Sequence, residues 1–195
     1  MTGGVECRAK PALRRRLLAA RAALPPAELA RRAAALGDVA AGLPLLASAR
    51  CIAAYVSVGA EPGTGPLLDA RRAAGVRVLL PVLSAGRSLD WALDEGPERL
   101  LPGPACLLQP AGTRLGSAAI NCAEVVLVPA LAVDHAGHRL GRGGGYYDRA
   151  LSLLPAATTV LAVVYAEEVL DAVPVEPHDH PVDGALTPTG WWPVG

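Results

Sequence analysis

The sequence predicts an α/β fold, an open and mainly parallel β-sheet flanked by helices, and three observations carry that expectation. Cys51–Val58, Val76–Leu83, Val125–Val133 and Thr158–Ala166 are near-continuous apolar runs, the pattern of strands covered on both faces. Segments with helical spacing and proline or glycine boundaries alternate with these runs, as a parallel sheet with crossover helices requires. A glycine-rich decapeptide, Arg139-Leu140-Gly141-Arg142-Gly143-Gly144-Gly145-Tyr146-Tyr147-Asp148, follows one of the strands and leads into Tyr146–Leu154, which has helical spacing. Ligand sites of open α/β sheets lie at such strand-to-helix turns. A Rossmann-like three-layer architecture is therefore expected, and no repeat, linker or change of composition divides residues 1–195 into more than one domain.

Residues 9–24 and 27–41 are rich in Ala, Leu and Arg and are separated by Pro25-Pro26, which predicts two helices, the second with proline in its first turn. Both are expected to pack on the sheet, the first through Leu13, Leu17, Leu18 and Leu24, with Arg14-Arg15-Arg16 as a solvated basic face. The strand Cys51–Val58 ends at Gly59, and a loop with Glu61-Pro62-Gly63-Thr64 leads to a short helix, Pro66–Ala74, stopped by Gly75. A strand over Val76–Leu83 completes a β-loop-α-β unit with a right-handed crossover. The region 84–124 is dense in Gly and Pro, with short strands expected at Leu89–Leu93 and Ala105–Leu108. A last short strand is expected at Gly184–Thr187.

The chain has 195 residues, 18 basic and 18 acidic side chains, so it is long enough for a substantial core but has no global field to attract nucleic acid or an anionic membrane. No apolar stretch reaches the ~18 residues of a membrane span, and the first residues lack the apolar core of a signal peptide. Cys7, Cys51, Cys106 and Cys122 form no C-x-x-C pair, which argues against a zinc knuckle or redox motif. A cytoplasmic monomer is expected.

The glycine loop carries the chemistry. Gly141, Gly143, Gly144 and Gly145 bare the backbone to a ligand, and Arg139 and Arg142 supply guanidinium donors that stay charged. Loop amides feeding a helix N-terminus favour an anion, so phosphate binding is the first expectation. The pattern is neither Gly-x-x-x-x-Gly-Lys-Ser/Thr nor the dinucleotide fingerprint. Tyr146 and Tyr147 offer faces for a flat ring, and the Asp148 carboxylate is of the type that holds a magnesium ion bridging phosphate oxygens. His178-Asp179-His180-Pro181-Val182-Asp183 is dense in possible ligands, but it lacks a distant third ligand for zinc, and its histidines read as local structure.

The segment Leu127-Val128-Pro129-Ala130-Leu131-Ala132-Val133-Asp134 with Arg139–Asp148 resembles the signature of the 5-formyltetrahydrofolate cyclo-ligase family, also called 5,10-methenyltetrahydrofolate synthetases. The resemblance extends from Lys10 to about Thr187. It implies ATP- and Mg2+-dependent cyclisation of 5-formyltetrahydrofolate to 5,10-methenyltetrahydrofolate, releasing ADP and phosphate. By the same resemblance Lys10-Pro11-Ala12-Leu13-Arg14 and the loop from Arg139, Leu140 and Gly141 to Tyr147 contact ATP. Val56, Glu61, Arg142, Gly143, Gly144, Gly145 and Tyr146 contact the folate, Arg142 and Tyr146 act in catalysis, and Asp148 and Asp183 hold the metal. Gln109-Pro110 stands where the family commonly has Glu-Pro, and Val133 where it often has Phe; no role is assigned to Gln109. Two other readings of the loop are a different ATP-dependent small-molecule kinase on a similar sheet and an RNA-binding Arg-Gly-Gly-Gly-Tyr-Tyr patch. The second is opposed by the neutral charge and the single occurrence of the motif.

Overall fold

The computed structural model describes residues 3–84, 88–104, 107–177 and 179–194, with side chains from residue 9 onward. In chain order its elements are α1 (Gly3–Ala22), α2 (Pro26–Gly42), α3 (Pro44–Ser48), β1 (Cys51–Ala53), α4 (Gly65–Ala73), β2 (Arg77–Leu83), β3 (Leu89–Leu93), β4 (Leu100–Pro102), β5 (Leu108–Pro110), β6 (Val125–Pro129), β7 (Ala132–Asp134), β8 (Arg139–Leu140), α5 (Tyr146–Leu151), β9 (Thr159–Val163), β10 (Val169–Leu170), β11 (Gly184–Thr187) and β12 (Gly190–Pro193). The main sheet has the order β12-β11-β9-β6-β1-β2-β3. Its five inner strands are parallel, and β12 and β3 pair antiparallel at the two edges. A second sheet, β10-β7-β8, and the hairpin β4-β5 stand beside it. The expected α/β architecture is the one observed.

Alternation along each inner strand sorts the core into two layers, because successive side chains point to opposite faces. Ala53, Leu79, Val126, Val128, Val160, Ala162 and Ala185 join one cluster, which the turn Ser117–Cys122 and the α5 residues Ala150 and Leu151 cover. Ile52, Val78, Leu80, Val125, Leu127, Leu161, Val163 and Leu186 face the other way, under Leu36 and Ala40 of α2, Leu46 of α3 and Leu67 of α4.

Several expectations are corrected. The strand expected over Cys51–Val58 ends at Ala53, because Thr64 draws the chain out of the ladder. Its hydroxyl donates to the Tyr55 carbonyl (2.7 Å) and accepts from the Ser57 amide (3.1 Å). The run Val125–Val133 divides into β6 and β7 at Ala130 and Leu131. There the Ala130 carbonyl accepts from Arg21 Nη2 (2.7 Å), and the Leu131 amide turns to Leu140 (2.7 Å), carrying the chain into the second sheet. Of the strand expected at Ala105–Leu108, Ala105 and Cys106 lie outside the described residues, and the pairing begins at Leu108. The helix expected over Tyr146–Leu154 closes at Leu151, with Leu153 and Leu154 in turns ahead of Pro155.

The largest correction concerns α1, which does not pack on the main sheet as expected. Its Leu13 and Leu17 meet Leu131, Leu140 and Val173, while Leu18 is exposed. The helix therefore lies over the second sheet, at the carboxyl ends of the parallel strands. Arg21 fixes it there. Arg21 Nε and Nη2 donate to the two Glu168 carboxylate oxygens, both at 2.7 Å, and Glu168 also accepts from the Tyr165 amide (2.8 Å). Both side chains are buried. Removing one partner strands a buried charge, so Glu168→Gln is expected to cost about 3–5 kcal/mol of stability. Urea unfolding of that variant beside the wild type measures it, and an unchanged midpoint would refute the role given to the pair.

Candidate active site at the carboxyl edge

Strand β1 has β2 on one side and β6 on the other, so the chains leaving β1 and β6 diverge at the carboxyl edge. Ligands of open α/β sheets bind at this kind of switch point. The loop after β1 supplies Glu61, and the glycine loop supplies Arg142; the two meet at that edge. Arg142 Nε and Nη2 lie 3.0 and 2.9 Å from Glu61 Oε1, and Glu61 Oε2 accepts from the Val58 amide (3.0 Å). Glu61 is buried whereas the Arg142 side chain is half-exposed, so the acid is fixed from within and the guanidinium looks outward. Thr64 is wholly buried and holds the turn through Ser57 and Tyr55, making no helix cap with its hydroxyl.

Asp134 shapes the approach to the glycine loop as a turn cap. Its Oδ1 accepts from the amides of Ala136 (3.0 Å) and His138 (2.9 Å), and its Oδ2 accepts from the Val173 amide (3.0 Å) and faces His138 Nδ1 (3.0 Å). This closes the β7–β8 hairpin and sets Arg139 inward, where Nη2 donates to Asp148 Oδ1. Arg139 is buried, and its Nε has no hydrogen-bond partner among the described residues. Gly143 (φ +98°) and Gly145 (φ +64°) occupy backbone conformations that side chains disfavour, and a Cβ at Gly144 would stand 2.8 Å from the Tyr146 ring. No carbonyl among the described residues takes the amides of Arg142, Gly143 or Gly144, which leaves a row of donors for an anion. Because α5 has only six residues, these amides and the guanidinium groups outweigh the helix dipole in attracting it.

Two further arginines border the loop. Arg14 donates from Nε to the Gly141 carbonyl (2.8 Å), and Arg149 Nη2 lies 3.3 Å from the Gly144 carbonyl with its guanidinium 5.7 Å from the Tyr146 ring centre. Arg149 escaped the sequence reading; its signal was the four-residue spacing from Gly145 in a helical stretch. Lys10, one turn before Arg14, is buried, and its ammonium contacts Asp179 (2.6 Å) and Glu176 (3.0 Å). Pro11 and Ala12 are exposed on the other side of α1. Leu13 and Leu140 pack in the apolar cluster beneath the helix, and Val56 packs on the α2 side of the sheet.

The two predicted metal residues occupy different surroundings. Asp148 Oδ1 accepts from Arg139 and, at 3.4 Å, from the His180 amide. Asp183 accepts on Oδ2 from the Val160 amide (2.7 Å) and lines a cleft with Leu154, Pro155, Thr158 and His180. Each keeps one carboxylate oxygen without a protein donor among the described residues. No group of three or more His, Cys, Asp or Glu side chains suited to a metal is found among those residues. His180 Nδ1 lies against the Pro181 carbonyl (2.9 Å), which suits local structure, and His178 falls outside the described residues. Cys51 is a buried free thiol, Cys122 an exposed one. No helix among the described residues is long and apolar enough to cross a membrane.

The sequence model of the 5-formyltetrahydrofolate cyclo-ligase family matches residues 6–188. The chain belongs to that family. Among similar proteins, the 5-formyltetrahydrofolate cyclo-ligase of Mycolicibacterium smegmatis is 44% identical over 186 residues, 93% of this chain and 94% of that one. The protein of the same name from Escherichia coli K12 is 33% identical over 155 residues, 76% of this chain and 84% of its own. The solved structure of Aquifex aeolicus 5,10-methenyltetrahydrofolate synthetase matches with a TM-score of 0.81 at 26% identity, over 95% of this chain and 92% of that one. The chain is thus an enzyme of the cyclo-ligase class, and the fold is the one its family adopts.

In this cyclo-ligase the hairpin that delivers Arg139 is pH-sensitive through Asp134. Burial pushes its carboxyl up, but hydrogen bonds from the Val173 amide and from the His138 ring and amide outweigh burial and hold it below the ordinary carboxylate range. A lowered folded-state value contributes stability above the unfolded value of ~3.9, and that contribution disappears as pH falls through the folded value. Asp134→Asn is therefore expected to destabilise the protein at neutral pH and to flatten the fall of its urea midpoint as pH drops below the ordinary carboxylate range. Parallel acid dependence in wild type and variant would exclude this linkage.

Proposed function

We propose that this cyclo-ligase converts 5-formyltetrahydrofolate to 5,10-methenyltetrahydrofolate with ATP and Mg2+, releasing ADP and phosphate. The observation that carries the reading is the junction of Glu61 and Arg142 at the switch point, beside the unpaired loop amides, in a chain of this family. ATP takes the anion site: Arg14, Arg139, Arg142 and the amides of Gly143–Gly145 hold its phosphates, Lys10 reaches them from α1 in exchange for its carboxylate partners, and Tyr146 and Tyr147 border the site. The folate lies toward Val56 and Glu61, the Glu61 carboxylate orienting its ring.

The formamide oxygen attacks the γ-phosphorus and the bond to ADP breaks. The folate N10 then attacks the activated formyl carbon, phosphate leaves with the former formamide oxygen, and N10 gives up its proton. Arg142 and Tyr146 are the expected catalytic residues, Arg142 stabilising charge that builds on the transferring group and Tyr146 bounding the loop against which that group rests. Magnesium commonly takes one or two carboxylates and fills its shell with phosphate oxygens and water. Asp148 and Asp183, each with one uncommitted oxygen, suit that role better than a closed protein cage, and the ion would neutralise phosphate charge.

Near-ultraviolet absorbance of the methenyl product, followed with purified protein, 5-formyltetrahydrofolate, ATP and Mg2+, tests the reaction. The expected signal requires both ATP and Mg2+; its absence with ATP still bound would redirect the reading to another substrate on the same loop. Asp148→Ala is expected to lower kcat/KM by at least about a hundredfold, and full activity in that variant would remove the metal assignment.

A further inference from the structure

Near the switch point two buried phenol hydroxyls lie within electrostatic reach of the Glu61 carboxylate and lack partners of their own among the described residues. The Tyr55 side chain follows the β1 ladder, is 4% exposed, and its hydroxyl has no hydrogen-bond partner among the described residues. Tyr147, in the first turn of α5, likewise buries a hydroxyl without a partner among the described residues. The rings come from opposite sides of the main sheet, Tyr55 from the layer under α2 and Tyr147 from the layer under α5. Both hydroxyls lie within electrostatic reach of the Glu61 carboxylate, and of each other. Burial, assisted by the charge on Glu61, pushes both phenols up, so they remain neutral O–H groups.

A buried hydroxyl without a partner is costly, and folded proteins hold few of them. Two such groups within the field of one fixed carboxylate, toward the edge where ligands of this architecture bind, would complement a ligand with a planar polar edge. Glu61 accepts only, and its two oxygens already face Arg142 and the Val58 amide. A neutral phenol can either donate or accept. We infer that Tyr55, with Tyr147, presents its hydroxyl to the polar edge of the folate's pyrimidine ring beside Glu61, making Tyr55 a specificity-determining residue for the folate. This rests on the folate reading above. The 2-amino-4-oxo edge of that ring offers N–H groups to the carboxylate and a carbonyl oxygen to a neutral donor, a division of labour that a carboxylate alone does not supply.

The test is removal of one oxygen atom. Tyr55→Phe is expected to raise KM for 5-formyltetrahydrofolate about five- to tenfold, the worth of one hydrogen bond, and to leave KM for ATP unchanged. Tyr147→Phe, at a residue that also borders the ATP site, should likewise raise KM for the folate, but only Tyr55→Phe is expected to spare KM for ATP. Since neither hydroxyl bonds to a described residue, the melting temperature of each ligand-free variant should equal or exceed that of the wild type, while the stabilisation conferred by 5-formyltetrahydrofolate shrinks. An unchanged folate KM in Tyr55→Phe, an equal rise in KM for ATP, or a lower melting temperature without ligand would each overturn the inference. Wild-type turnover tests the underlying functional reading separately. If the wild type is inactive but is stabilised by 5-formyltetrahydrofolate, the loss of that stabilisation in Tyr55→Phe still decides the point.

Discussion

A bidentate ion pair buried at the carboxyl edge of the sheet governs the arrangement of everything around it. Arg21 reaches from the end of α1 to Glu168 and to the Ala130 carbonyl, while Glu168 also receives the Tyr165 amide. One guanidinium thus ties the helix to the segments that follow β6 and β9. Burial pushes the Glu168 carboxyl up, opposed by its hydrogen bonds from Arg21. The Arg21 guanidinium stays charged at any working pH. Such a pair adds little net stability over an apolar contact of the same shape, but it penalises every arrangement in which one partner lacks the other. Its contribution is to define where α1 lies.

That placement determines the site. With Arg21 fixed, Leu17, Leu13 and Arg14, and Lys10 follow at helical spacing along the same side of α1, and they come to rest on the second sheet, the glycine loop and the segment containing Glu176 and Asp179. The buried side of α1 therefore mixes leucines with three cations. The second sheet performs the matching task from the other side, since the Asp134-capped hairpin sets Arg139 inward toward Asp148. The cations around the glycine loop, which would otherwise repel one another, are each held by a carboxylate or a carbonyl, so under the proposed reading a polyphosphate would exchange partners with groups already oriented. Preorganisation of this kind suits phosphoryl transfer, where positioning and charge stabilisation carry most of the catalysis.

Legibility differed between the two halves of the site. The glycine loop was readable because its requirements are local: positive φ at Gly143 and Gly145, and the Tyr146 ring against Gly144, exclude side chains whatever the rest of the chain does. The inner strands were readable because both faces are covered, which forces apolar residues at every position. Tyr55 and Arg149 were not singled out, the first because a tyrosine ending an apolar run looks like any core ring, the second because its value lies in what stands one turn earlier. The misplacement of α1 has a related cause. Its leucine stripe was legible, but Lys10, Arg14 and Arg21 share the buried side, and pattern reading assigns charges to solvent.

By itself, then, the sequence determined the alternation of strands and helices, the parallel sheet, the backbone constraints of the glycine loop and the family, because these rest on periodicity and on features confined to a few consecutive residues. The tertiary structure alone decided which distant groups meet: Arg142 with Glu61, Arg21 with Glu168, and Lys10 with Asp179. Those pairings join residues 81, 147 and 169 positions apart. They depend on the strand order around β1 and on the angle at which α1 crosses the second sheet, neither of which any local stretch of sequence encodes.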